Sequence, residues 1–232
     1  MRRGDPDTYE VELGGGATLP APARDVIDAL APLVTPKRLA RIEGVAAKRT
    51  YGVAAVLESI DDPHNASAIL RSADAFGVQR VHVLPGPGGF QAARQVSKGA
   101  HRWLDLTPHP SPEACAEALT GAGYRILVAS MEGELRPEAL GEFERVAVVF
   151  GNEHRGPSSA LRAHAHGTYG IPMRGFVESL NVSVAAAITL HAATRDRPGL
   201  APEDRNALVA RWLMADVRDA ERIVAEHVRS RH

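Results

Sequence analysis

Three polar, glycine-containing segments carry the side chains best suited to chemistry: 62–72, 150–157 and 171–185. They bring a carboxamide and a guanidinium (Asn65, Arg71), a carboxylate (Glu153), and a hydroxyl with a second carboxamide (Ser179, Asn181). Each segment follows an apolar, strand-like run. In open α/β sheets ligands bind beyond the carboxyl ends of the strands, so the chemistry these segments suggest is that of a shared binding crevice. Each residue also has a purely local reading. Asn65 would cap the helix it begins, Arg71 would be a surface cation, Glu153 would favour a helix entrance, and Ser179 or Asn181 would cap the apolar helix that follows. Asn65 and Arg71 are six positions apart, about 120° around a helix axis, so a joint role needs a substrate lying across the helix end.

The common nucleotide and hydrolase motifs are missing. Gly86-Pro87-Gly88-Gly89 follows a strand-like run but lacks the third glycine of a dinucleotide loop, and no helix starts directly after it. There is no P-loop and no nucleophile elbow. His164 and His166 have no third ligand at a metal spacing, so no metal is expected. Cys115, the single cysteine, lies in a helical stretch with no histidine beside it in sequence and reads as a packing residue.

These segments need a frame to hold them. Short apolar or β-branched runs at 53–57, 80–84, 125–130 and 146–150 fit buried parallel strands, with 103–106 and 168–171 as shorter ones. Helices are expected at 36–48, 65–76, 112–122, 158–165, 180–194 and from 202 to about 228. Alternating strands and helices imply an α/β fold, a mostly parallel sheet covered by helices on both faces. Residues 1–35, rich in Gly and Pro, read as a flexible extension, apart from a short helix within 25–33. The expected organisation is therefore an extension (1–35), a domain that holds the three polar segments and is led by a basic helix (36–195), and a helical extension (196–232). The 232 residues carry 27 basic and 28 acidic side chains, so net charge points to no partner. Lys37, Arg38, Arg41, Lys48 and Arg49 nevertheless cluster against Glu43 alone, a local patch able to hold phosphates. No stretch approaches the roughly 18 apolar residues of a membrane span. The N-terminus lacks a secretory h-region, and a cytoplasmic protein is expected.

Taken together, Asn65-x5-Arg71, Phe150-Gly151-Asn152-Glu153-x2-Gly156 and Ile171-Pro172-Met173 with Ser179-Leu180-Asn181-Val182-Ser183-Val184-Ala185 resemble the three ordered motifs of the SpoU branch of the SPOUT RNA 2′-O-methyltransferases. The resemblance spans about residues 36–213. Within the family it is strongest to the group that methylates guanosine 18 of tRNA, the TrmH group. The segment Asn152-Glu153-His154-Arg155 and the two terminal extensions depart from that group's pattern.

The resemblance implies a C-terminal trefoil knot, which topology rules alone would disfavour. It also implies S-adenosyl-L-methionine as cofactor, held by Ala129, Ser130, Gly151, Ile171, Met173 and Leu180. Gly151 and Gly175 would let backbone approach the ligand closely, and the apolar residues would face its adenine. Arg71 would activate the ribose 2′-hydroxyl, either deprotonated in a special environment or, with no extreme pKa shift, staying charged to stabilise the developing alkoxide and hold the adjoining phosphate. Asn65 would order Arg71 or the ribose, Glu153 and Asn181 would brace the knot loops, and Ser179 would contact substrate or Arg71. Family members act as homodimers through their knot helices, and the Leu180–Thr194 stretch is apolar enough to serve that purpose. Lys37, Arg38 and Arg41 would contact the tRNA backbone. Ribosomal RNA is the alternative substrate, and a non-catalytic RNA-binding module the alternative of another class.

Overall fold

The computed structural model describes residues 8–13, 17–86, 99 and 102–231. In chain order the elements begin with β1 (Thr8–Leu13), β2 (Ala17–Pro22), α1 (Ala23–Leu30), a 3-10 turn at Ala31–Leu33, and α2 (Pro36–Ala46). Next come β3 (Thr50–Glu58), α3 (Pro63–Ala75), β4 (Val78–Leu84), β5 (Asp105–Pro108), α4 (Pro112–Gly121) and β6 (Arg125–Ala129). A 3-10 segment at Pro137–Glu142 leads to β7 (Val146–Phe150), α5 (Ser159–Ala163), β8 (Gly167–Tyr169) and α6 (Val182–Thr194). The chain closes with α7 (Pro202–Asp216) and α8 (Ala220–Arg231). It divides into two compact units, Thr50–Pro198 and Met1–Arg49 with Gly199–His232.

In the Thr50–Pro198 unit the strand order is β5-β4-β3-β7-β6-β8, and every pairing is parallel. The central strands bury both faces, so alternate residues feed two cores. Val53, Ala55 and Leu57 pack with Ile69 and Leu70 of α3 and Ala186 and Leu190 of α6. Ala54 and Val56 pack on the other face with Cys115 and Leu119 of α4 and Leu161 of α5. Helix starts follow side-chain caps that are legible locally. Asp62 accepts from the His64 N–H ahead of Pro63, and Ser111 from the Ala114 N–H ahead of Pro112. The α/β sheet with helices on both faces is as the sequence implied, with strand ends shifted by up to three residues.

The other unit corrects three expectations. The segment read as a flexible extension is built into the fold: β1 and β2 pair antiparallel, and Ala21, Ala23, Val26 and Leu30 are buried. Helix α1 packs on α7 and α8. The short helix expected within 25–33 is present as α1, but the helices that cover it lie far along the chain. Residues 1–7 and the triple glycine at 14–16 lie outside the described residues, as do Gly88 and Gly89. The single long C-terminal helix is two helices, separated at Val217–Asp219, where Asp219 takes a left-handed φ of 57°. Finally, α2 falls in the unit of the C-terminal helices and not in the sheet domain it was expected to lead. Arg38 forms a two-pronged bond to Asp216 at 2.8 and 2.9 Å, and buried Arg49 lies over the Trp212 ring.

Candidate active site

The carboxyl ends of β6, β7 and β8 open onto a cleft of about 200 Å³. Ala129, Ser130, Gly151, Ile171, Met173 and Leu180, the residues implied for the cofactor, all line it. Two close backbone approaches shape the walls. A β-carbon on Gly151 would lie 2.1 Å from the Pro157 nitrogen, and one on Gly133 would lie 2.0 Å from the Tyr169 carbonyl carbon. Only glycine lets these loops touch. The turn after β6 is tied to β8 through Ser130 N–H to Tyr169 O (2.9 Å) and Gly170 N–H to Leu135 O (2.8 Å). At Gly175 a β-carbon would meet nothing within 4 Å, so the protein's own packing does not demand glycine there. Two buried hydroxyls on the wall, Tyr169 Oη and Thr189 Oγ1, form no well-aligned hydrogen bond with the described residues. Burial pushes the Tyr169 phenol above its ordinary range, and the neighbouring Thr189 hydroxyl offsets part of that rise.

The three polar segments meet beside this cleft through side chains. Asn65 Nδ2 donates to Glu153 Oε1 at 3.0 Å, and Asn65 Oδ1 accepts from Asn181 Nδ2 at 3.0 Å. Asn181 also caps α6, its Oδ1 accepting from the Ser183 N–H (2.8 Å) and hydroxyl (2.6 Å). Glu153 receives the Asp61 and Asp62 N–H groups at 3.2 and 3.3 Å, at the mouth of α3. Partial burial raises the pKa of this carboxyl, but the bonds from Asn65, from its own backbone N–H and from those of Asp61 and Asp62 outweigh that and hold it below its usual range. Asn65 is thus a link between segments, and the cap of α3 is Asp62 instead.

Arg71 and Ser179 stand apart from this junction. Arg71 is exposed, lies off the cleft wall, and makes no hydrogen bond or ion pair with the described residues. Ser179 is exposed on the cleft rim. Of the cations implied for RNA contact, Lys37 and Arg41 are exposed, whereas Arg38 is spent on Asp216. Sequence reasoning passed over Asn152, which is buried and organises its loop. It donates to Ser59 O and Asp61 Oδ2 and accepts from the His154 and Arg155 N–H groups. Its place between Gly151 and Glu153 was the available signal.

The family model described as the SpoU rRNA Methylase family matches residues 52–191. The chain belongs to that family. The matched stretch falls inside the Thr50–Pro198 unit and holds the whole cleft and junction. Among SpoU-family relatives, the tRNA (guanosine(18)-2′-O)-methyltransferase of Thermus thermophilus is 37% identical over 188 residues, 77% of this chain and 97% of that protein. The enzyme of the same name from Escherichia coli is 32% identical, over 71% of this chain and 72% of its own length. The crystal structure of an A. aeolicus TrmH/SpoU tRNA modifying enzyme superposes with a TM-score of 0.69 at 29% identity, covering 79% of this chain and 98% of that one.

Proposed function

We propose that this protein transfers a methyl group from S-adenosyl-L-methionine to a ribose 2′-hydroxyl of RNA, with guanosine 18 of tRNA as its target in the cytoplasm. The observation that carries the reading is the convergence of the three motifs: the Asn181–Asn65–Glu153 chain braces the loops around a cleft lined by all six residues implied for the cofactor. Ile171, Met173 and Leu180 offer an apolar surface for an adenine, and the hydroxyls of Tyr169 and Thr189 offer polar partners. The backbone ties between the turn at 130–135 and β8, followed by the return of the chain to α6 over α3 and β3, are in keeping with a knotted path.

When bound, S-adenosylmethionine supplies an electrophilic sulfonium methyl group. The protein has to align the ribose oxygen with that methyl and stabilise the charge left on the oxygen. Arg71, an exposed cation, stabilises the alkoxide and holds the neighbouring phosphate, which helps accept the proton and pass it to solvent. Ser179, on the rim, orients the ribose. The protein acts as a homodimer. Val184 and Ile188 present apolar surface on α6 for the partner, and Arg71, off its own cleft wall, serves the cleft of the other subunit. Lys37 and Arg41 contact RNA phosphates.

The test is transfer of labelled methyl from S-adenosylmethionine, with unmodified tRNA and ribosomal RNA offered in parallel and the product nucleotide mapped. A 2′-O-methyl group at guanosine 18 of tRNA is expected, in line with the near-complete span of the Thermus relative. Product only in ribosomal RNA would overturn the substrate, and cofactor binding without product in either would overturn the assignment of activity.

A further inference from the structure

At the β4–β5 edge of the sheet, away from the cleft, three metal-ligating side chains from three different elements converge. His82 lies on β4, His109 directly after β5, and Cys115 in the first half of α4. One ligating atom from each lies within 4.8 Å of the other two. None of the three lines the cleft or joins the motif junction. Cys115 is fully enclosed and His109 is 8% exposed, so the cluster is a buried one. The cluster is held in place from several directions. The β4–β5 register sets His82 against Thr107, the His109 N–H donates to Val83 O at 2.9 Å, and the Ser111 cap fixes the start of α4.

We propose that His82 Nδ1, His109 Nε2 and Cys115 Sγ form a binding site for a zinc-class divalent cation, with a fourth position left to water. The donor set is two imidazoles and a thiolate, which suits a borderline-soft d10 ion and not calcium or magnesium. The two ring nitrogens are 2.8 Å apart and share a proton in the metal-free state. Tetrahedral ligands about 2.05 Å from zinc stand about 3.3 Å apart, so the rings part by only about half an ångström. The shared proton moves to the far nitrogen of the ring that carries it, His82 Nε2 or His109 Nδ1, and one proton leaves the Cys115 thiol for each ion bound. Burial first, and the Glu58 carboxylate second, push the Cys115 thiol up to about 12, so the thiolate forms only as the cation binds. Bound metal would clamp β4, the turn after β5 and α4, stabilising that edge by mass action.

The experiment uses the full chain, prepared without a metal-affinity tag and stripped with chelator, then titrated with Co2+ and back-titrated with Zn2+. Because the chain has a single cysteine, a thiolate-to-cobalt charge-transfer band can come only from Cys115. One equivalent of cobalt should produce that band together with a tetrahedral visible spectrum, and zinc should abolish both. In Cys115→Ala the band should vanish, and in His109→Ala cobalt binding should weaken by about a hundredfold or more. Methyl transfer in the metal-free variants should stay at the wild-type level, and a single cooperative unfolding transition in the absence of metal certifies that they fold, at a stability lowered by the lost core packing and hydrogen bond. A titration without the band, or zinc uptake equal in wild type and Cys115→Ala, overturns the proposal.

Discussion

Asn65→Asp tests the junction between the motifs most sharply, because it keeps the shape and reverses one hydrogen bond. The Nδ2 that donates to Glu153 Oε1 at 3.0 Å becomes a carboxylate oxygen facing another. Two unit charges at that distance repel by about 5 kcal/mol at an effective dielectric constant near 20, and by about 3 near 40. Loss of a hydrogen bond to a charged group adds about 1.5 kcal/mol or more. Asn181 and the segment around Glu153 border solvent, so the side chains can turn apart, and a net loss of about 2–3 kcal/mol at pH 8 is expected. The pH dependence decides the matter. In the wild type the Glu153 pKa is depressed, so its contribution is complete above the ordinary carboxyl range and is lost only as pH falls through the lowered value. In the variant the facing carboxylates raise one pKa of the pair, so stability is regained as the pH falls toward 5 and one proton bridges them. Urea unfolding from pH 8 to 5 measures this, with cofactor affinity followed by calorimetry in parallel. A variant destabilised equally at both ends of that range would refute a direct Asn65–Glu153 bond.

Gly151→Ala forces a methyl against the Pro157 and Gly156 backbone, so cofactor binding should be lost and unfolding eased by about 3 kcal/mol, read by calorimetry and thermal melts. Arg71→Ala, at an exposed site without partners among the described residues, should leave stability within about 0.5 kcal/mol while methyl transfer falls by about 100-fold or more. Retained turnover would remove Arg71 from the chemistry. Neutralising Lys37 and Arg41 should weaken tRNA binding and flatten its salt dependence by about one logarithmic unit for each phosphate that is no longer neutralised. Arg38→Ala should instead cost about 1–2 kcal/mol of stability through Asp216, with the salt slope unchanged.

The local architecture was largely readable. Thr35-Pro36, Asp62-Pro63 and Ser111-Pro112 mark helix starts because a capping oxygen and a proline act within one turn. The doubly buried strands show as unbroken apolar runs because neither face meets water. What escaped was cover supplied from afar. Val26 and Leu30 are core residues only because α7 and α8 lie over α1, and the break at Asp219 depends on α8 reaching that same helix. Cys115 looked isolated for the same reason, since His82 and His109 reach it through strand pairing and not through sequence proximity.

The residue types of the three motifs, and the strands that precede them, follow from the sequence, since side-chain chemistry and hydrophobic period are properties of neighbouring positions. Which of those side chains touch was decided by the sheet. With β3 placed between β4 and β7, the loops leaving β3 and β7 emerge side by side, which brings Glu153 to Asn65 across 88 positions. The return of α6 onto α3 brings Asn181 to Asn65 across 116. The same closure leaves Arg71 facing solvent, and the docking of α2 on α7 draws Arg38 into a bond with Asp216. Strand order and helix docking are set by burial summed over the whole chain, so no window of sequence contains them.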